Sequence, residues 1–250
     1  MTADVQRFAD AAALYRAAAS LFERSAIDAV RDRGVFSVAL AGGSTPKGVY
    51  SLLADDTRLR EQVPWPQIQF FWGDERHVPP DDPESNFRMA HDALLSRVSV
   101  RPEQVHRVRT EHTGAYVVAD RYEAEVRSTV TPDLAVPRFD LVLLGLGTDG
   151  HTASLFPGTE ALSERVRLVA ANWVEKLKRH RITMTLPLLN AARAVMFIVA
   201  GQEKAEAVRA VLQPAGPQVS LPAQSIVPAD GRLHWLLDRS AASLLRGMTA

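Results

Sequence analysis

Five short runs of almost unbroken apolar and β-branched residues recur along this chain: VFSVALA (35–41), IQFFWG (68–73), FDLVLLG (139–145), AVMFIVAG (194–201) and LHWLLD (233–238). Runs this uniform do not suit a strand with one wet face; they suit strands covered on both faces, as in a parallel sheet between helices. The sequence between them agrees. From Asp10 to Arg33 the apolar positions Leu14, Ala18, Leu21, Phe22 and Ala29 recur at helical spacing, and Gly34 supplies the stop. Helical patterns also follow three of the runs, in KGVYSLLADD, QEKAEAVRAVLQ and RSAASLL. The expectation is one α/β domain over residues 1–250, a Rossmann-like, mostly parallel sheet with helices on both faces, and no linker or repeat.

Composition narrows the function. Lys plus Arg and Asp plus Glu each number 29, so no global excess of charge points to nucleic acid or an anionic membrane. The chain has no cysteine, which removes disulfides and thiolate metal sites. The opening MTADVQRFADAAALYRAAAS mixes acids and arginines among its alanines, unlike a signal peptide, and no stretch approaches the roughly 18 apolar residues of a membrane span. A cytoplasmic enzyme or ligand-binding protein is expected, with neither nucleic acid nor membrane as partner.

Open α/β sheets bind ligands outside the carboxyl ends of their strands, which directs attention to the turns there. After the first run comes Gly42-Gly43-Ser44-Thr45-Pro46-Lys47. Ser44 or Thr45 can cap the next helix, and its free amides then make an anion site of the phosphate-binding kind. The plainer reading is an ordinary capped turn. A nucleophile elbow, GxSxG, fails because its fifth position is Pro46.

After the second run, Asp74-Glu75-Arg76-His77 follows an apolar strand. A surface loop often carries such residues. At a strand end, Arg76 can hold an anionic or carbonyl oxygen, and Asp74 can orient an imidazole or a substrate hydroxyl. The histidines show no familiar metal-ligand spacing, so no metal is expected.

After the third run, Gly145-Leu146-Gly147-Thr148-Asp149-Gly150 spells the dinucleotide fingerprint GxGxxG. Its context disagrees. The following helix would stop at Pro157-Gly158, and the apolar run RLVAA (167–171) ends at Asn172, not at the acid expected roughly 20 residues on. The glycines instead let the backbone bend so that Asp149 and His151 stand at the strand end. His151 is then a candidate general base, against the alternative of a structural histidine capping a short helix. After the fourth run, Lys204 opposes a helix dipole that a bound phosphate would reverse, unless it is simply solvated beside Glu203.

Together ALAGGSTPKGVY, FFWGDERHVPPDDPESNF, FDLVLLGLGTDGHTASLFPG, RITMTLPLLNAA and GQEKAEAV resemble, in order and over nearly the whole chain, the 6-phosphogluconolactonase branch of the glucosamine-6-phosphate isomerase/6-phosphogluconolactonase superfamily. The sibling deaminases typically carry DEY where this chain has Asp74-Glu75-Arg76, and HIAFNEP where it has His151 to Pro157. The resemblance implies the superfamily's sugar-phosphate fold and hydrolysis of 6-phospho-D-glucono-1,5-lactone, the second step of the oxidative pentose phosphate pathway, with no cofactor. It implies His151 as the base that activates water, with Asp74 fixing imidazole or substrate. Backbone amides of the glycine turns or Arg76 are the candidates for the oxyanion. Gly42, Gly43, Ser44, Thr45 and Lys204 are implied to bind the 6-phosphate with Arg181 and Arg76 assisting; Asn86, Asp149 and Gly150 are further substrate contacts.

The family's proline-rich approach to RIT is replaced here by Glu175-Lys176-Leu177-Lys178-Arg179-His180, which leaves open whether Arg179 or Arg181 faces the site. A monomer is expected, with weak association with glucose-6-phosphate dehydrogenase left open. The rival functions are amino-sugar-phosphate deamination with isomerisation, and a non-catalytic sugar-phosphate sensor. The sensor would need a DNA-binding module for which the chain shows no room.

Overall fold

The computed structural model describes residues 3–111, 114–214, 216 and 221–247. Along them lie nine strands: β1 (Asp4–Phe8), β2 (Phe36–Leu40), β3 (Ile68–Trp72), β4 (Asp74–Arg76), β5 (Leu141–Leu144), β6 (Val169–Val174), β7 (Arg179–Met184), β8 (Ala194–Val199) and β9 (Arg232–Asp238). Six form a sheet in the order β1-β9-β8-β5-β2-β3, with every neighbouring pair parallel. All five apolar runs are in it, and β2 and β5 are buried at every position. The described α-helices are α1 (Ala11–Arg33), α2 (Ser44–Asp55), α3 (Thr57–Gln62), α4 (Asn86–Ala93), α5 (Ala115–Thr129), α6 (Glu160–Ser163), α7 (Leu186–Ala191) and α8 (Ala205–Leu212). The α/β reading holds.

The first helix has the expected ends. Asp10 Oδ1 accepts from the Ala13 amide at 2.8 Å, and Gly34 closes the helix at φ 75°, a left-handed conformation that glycine adopts without cost. Its apolar stripe, Leu14, Ala18, Phe22 and Ala29, is buried, and α1 packs on α2 and β9.

Three features differ from the sequence expectation. A second, antiparallel sheet of order β4-β7-β6 stands beside the first; its middle strand holds RITM and its hairpin partner begins within the RLVAA run. The helix expected at 239–245 is a stack of turns. Asp238 Oδ1 accepts the Ala241 amide at 2.7 Å and its carbonyl accepts the Ala242 amide at 3.0 Å, after which the bonds Ser243 to Ser240 and Leu245 to Ala242 tighten to spans of three residues. The N-terminal stretch adds a parallel edge strand, β1, on β9.

Two buried tyrosines fix the strand ends that lead into the cleft. Tyr50 of α2 accepts from the Ala41 amide at 3.0 Å and donates to the Ala41 carbonyl at 2.9 Å. Tyr122 of α5 does the same for Trp72, at 2.7 and 3.0 Å. Each hydroxyl thus closes backbone groups left open where a strand stops pairing. The Gly73 amide then donates to Leu40 (2.9 Å) and the Met184 amide to Gly73 (2.8 Å), which joins the two sheets.

Tyr50→Phe leaves both Ala41 groups buried and unpaired. It should cost about 1–3 kcal/mol of unfolding free energy in urea titrations, with an unchanged m-value.

Candidate functional site

The strand order places the cleft. The chain passes from β2 outward to β3 and returns to β5 on the other side of β2, so the segments leaving β2 and β5 diverge. A cavity of about 270 Å³ opens there, lined by Gly42 and Gly43 after β2, Asp74 and Arg76 of β4, Asn86 of α4, Gly145 and Gly147 after β5, His151, and Lys204 after β8. Seven of the residues named from the sequence therefore share one cavity wall: Gly42, Gly43, Asp74, Arg76, Asn86, His151 and Lys204.

His151 is held by its own loop. The Gly147 amide donates to the His151 carbonyl at 2.8 Å and the Gly150 amide to the Gly147 carbonyl at 3.0 Å, with Gly150 at φ 76°. A side chain on Gly147 would put its Cβ 1.9 Å from His151 Nδ1, so this glycine clears the space the imidazole occupies. Asp149 Oδ1 lies 2.5 Å from His151 Nδ1, and its Oδ2 accepts from Lys176 Nζ. Burial works to raise the Asp149 carboxyl, but the hydrogen bonds from Lys176 and His151 overcome it and hold the group below the usual carboxylate range. An ionised Asp149 can only accept, so Nδ1 carries the proton and Nε2 keeps its lone pair. Burial lowers the His151 pKa, and the pull of Asp149 in the opposite direction does not restore it, so the ring is neutral at neutral pH. Phe156 stacks on the imidazole, centroids 4.1 Å apart.

No helix follows His151. Thr152 Oγ1 donates to the Gly145 carbonyl at 2.9 Å, and Ala153 takes a left-handed φ of 47°. The segment is fastened to strand ends instead, and the structure gives His151 no helix-capping role. Ser154 Oγ donates to Asp74 Oδ2 at 2.7 Å. Asp149 fixes the imidazole; Asp74 is held by Ser154 and by Asn86 Nδ2 (3.4 Å to Oδ1) and borders the cavity.

Between them, Glu75 points away from the cavity and is 2% exposed. Its carboxylate accepts from the amides of Arg76 (2.7 Å), Asn86 (2.8 Å) and Phe87 (2.7 Å). Burial raises its pKa against those three bonds. The acid sits at the positive end of α4 and thereby pins Asn86, which packs so closely on Gly42 that a Cβ there would lie 1.9 Å from Asn86 Oδ1.

Arg76 and Arg181 are directly paired across β4 and β7, so their side chains share a face with Asp74 and Thr183. Arg76 Nη1 donates to the Glu84 carbonyl at 2.5 Å, while Arg76 Nε, Arg181 Nε and Arg181 Nη1 are buried without a partner. Burial, and then the Arg76 cation, pull the Arg181 pKa below its ordinary value. Arg179 is exposed and ion-paired with Glu84. The structure thus brings Arg181, not Arg179, beside the site. Two adjacent guanidinium groups with donors free of protein partners are chemically suited to seat an anion.

Other residues named from the sequence stand differently. Gly43 is the N-cap of α2, so neither Ser44 nor Thr45 caps by side chain; the expected hydroxyl cap is absent because both residues lie inside the first turn. Their amides, which lack acceptors within a helix, remain at its positive end, and Lys204 stands across the cavity at the start of α8. Asp149 engages its oxygens with His151 and Lys176, and Gly150 shapes the loop; neither lines the cavity. Sequence reasoning missed Ser154, Phe156 and Lys176, whose roles depend on which strands meet. Among the described residues no three His, Asp or Glu side chains gather as a metal site would.

A family model described as "Glucosamine-6-phosphate isomerases/6-phosphogluconolactonase" matches residues 9–235. The 6-phosphogluconolactonase of Nostoc sp. is 43% identical over 218 residues, 87% of this chain and 88% of that one. That of Synechocystis sp. is 42% identical over 219 residues, 87% and 88% of the two chains. The structure of 6-phosphogluconolactonase from Trypanosoma cruzi superposes with a TM-score of 0.86 at 31% identity, covering 98% of both chains.

Inorganic phosphate at ~100 times its Kd should raise the thermal midpoint by roughly 5–10 °C. Arg181→Met, which removes a half-buried cation crowded against Arg76, should leave the ligand-free midpoint unchanged or higher and lose most of the phosphate-dependent gain. Differential scanning fluorimetry reads both.

Proposed function

The chain belongs to the glucosamine-6-phosphate isomerase/6-phosphogluconolactonase family, and from that premise we propose that it hydrolyses 6-phospho-D-glucono-1,5-lactone to 6-phospho-D-gluconate. It is a lactone-hydrolysing enzyme of carbohydrate metabolism. The observation that carries the reading is a neutral imidazole in one cavity with the cations Lys204 and Arg76 and with a helix N-terminus. A phosphorylated ester needs that combination: positive charge for the phosphate, and a base for water at a distance from it.

His151 Nε2 takes a proton from water as the oxygen attacks the lactone carbonyl. Asp149 keeps the other ring nitrogen protonated and stabilises the imidazolium that forms. The carbonyl π electrons move onto oxygen. With the arginines engaged by phosphate, the glycine-turn backbone that lines the cavity is the remaining candidate source of amides for that oxyanion. Collapse breaks the bond to the ring oxygen, which takes the proton back from His151, and the resulting acid ionises. Water has then been added across one C–O bond with no change in oxidation state.

Lys204, the amides opening α2, and Arg76 backed by Arg181 hold the 6-phosphate. Asp74 accepts a sugar hydroxyl, with Asn86 and Ser154 keeping its carboxylate turned to the cavity. Binding energy from the remote phosphate orients the carbonyl over His151. Action as a cytoplasmic monomer, associating at most weakly with glucose-6-phosphate dehydrogenase, belongs to the same proposal. Among the described residues no helix is long and apolar enough to cross a membrane.

His151→Ala should lower kcat about 10²–10⁴-fold above the spontaneous background while 6-phosphogluconate still binds. Lys204→Ala should chiefly raise KM. Acid release from fresh lactone, measured against ammonia release from glucosamine 6-phosphate, tests the reaction itself; robust ammonia production would overturn it in favour of the deaminase.

A further inference from the structure

The turn joining β6 to β7 reaches back to the catalytic loop. It runs through Glu175–Leu177 and closes at Lys178, a non-glycine residue at φ 49°. Lys178 donates its amide to the Glu175 carbonyl at 3.1 Å. This tight reversal delivers Lys176 onto Asp149: its Nζ donates to Asp149 Oδ2, the oxygen that His151 does not use. The same ammonium lies 4.6 Å from the centre of the Phe156 ring, on which the imidazole stacks. Lys176 therefore touches both supports of His151 without lining the substrate cavity.

We infer that Lys176 is a positioning residue for the hydrolysis, acting through Asp149 and Phe156 to hold His151 in the one orientation and tautomer that present Nε2 to water. This rests on the hydrolytic reading above. The chemistry follows from how a carboxylate behaves with one partner or two. With Lys176 on Oδ2, rotation of the Asp149 carboxylate would break a charge-assisted bond, so Oδ1 stays on Nδ1. Lys176 also neutralises Asp149, so that the imidazole faces a balanced pair and not a bare anion.

The charged groups around His151 are Asp149 on its own loop, Asp74 of β4, and Lys176 of the hairpin, with Arg76 and Lys204 bordering the same cavity. The two aspartates raise the His151 pKa and Lys176 lowers it. Without Lys176 the pull of Asp149 is less opposed, the imidazole protonates at higher pH, and less of the base is available near neutrality. Lys176 is 53% exposed, so solvent screens part of this effect.

The test uses the full chain and its Lys176→Met and Lys176→Arg variants. In Lys176→Met the acid limb of the kcat/KM profile should move up by roughly half a pH unit and kcat should fall about tenfold, with KM within about twofold. Lys176→Arg should recover most of both. Nitrogen-15 spectra of the His151 ring should show Nδ1–H in the parent chain and in Lys176→Arg, and mixed tautomers with a raised titration midpoint in Lys176→Met. An unmoved midpoint and tautomer overturn the inference, whether or not activity falls, because a merely structural lysine would leave them alone. The ring spectra need no substrate, so a parent chain inactive on the lactone would refute the hydrolytic reading separately.

Discussion

Everything chemical in this molecule hangs on β2 and β5 lying side by side in one register, and a buried aspartate sets that register. Asp140, 8% exposed, stands just before β5. Its Oδ2 accepts from the Ser37 amide (2.8 Å) and the Ser37 hydroxyl (3.0 Å), while its own amide donates to Ser37. Arg33 and Arg193 balance its charge at 3.0 and 3.3 Å. A one-residue slip would leave this carboxylate without donors in the sheet, at a cost of several kcal/mol, so the pairing of Val38 with Leu141 is strongly preferred. Because the strands start level, Gly42–Gly43 and Gly145–Gly147 leave them together at the far end, and the cleft between them has a fixed width.

The site that results concentrates groups the fold leaves partly unsatisfied. Buried guanidinium nitrogens on Arg76 and Arg181 have no protein partner, and Ala153 sits in a left-handed conformation that costs a non-glycine residue about 1–3 kcal/mol. The extensive buried core of the six-stranded sheet offsets such costs. A phosphate bound as proposed above would complete these donors and recover part of their cost, which couples ligand affinity to local stability.

The sheet was legible because each of its apolar runs is long enough to imply a buried strand on its own. The place of His151 was legible for a similar reason: glycines after a strand end bend the chain sharply and set the residue that follows them on the cleft wall. What local pattern could not supply was partnership. Which of Arg179 and Arg181 lies beside Arg76 depends on strand pairing, and the antiparallel register of β4 on β7 puts Arg181 there. Whether Asp74 or Asp149 steadies the imidazole depends on a 2.5 Å contact within one turn, where sequence offers two carboxylates of equal chemistry. The three-stranded sheet leaves no such signal, because β4 has only three residues and β7 starts with Arg-His-Arg, neither of which carries an apolar run.

The GxGxxG match shows why a pattern and its chemistry can part. In a dinucleotide fold the second glycine keeps side chains away so that a pyrophosphate can approach the backbone, and the helix that follows aims its positive end at it. Here the second glycine, Gly147, also keeps a side chain away, but the space is filled by the chain's own His151, which would lie 1.9 Å from a Cβ at that position. No helix begins at Gly150; the segment 151–155 instead closes an isolated bridge between Thr152 and Leu155. The glycine performs the same steric task in both settings. What differs is the occupant: a ligand's phosphates in one, the chain's own imidazole in the other, and with the imidazole seated there the pyrophosphate has no room.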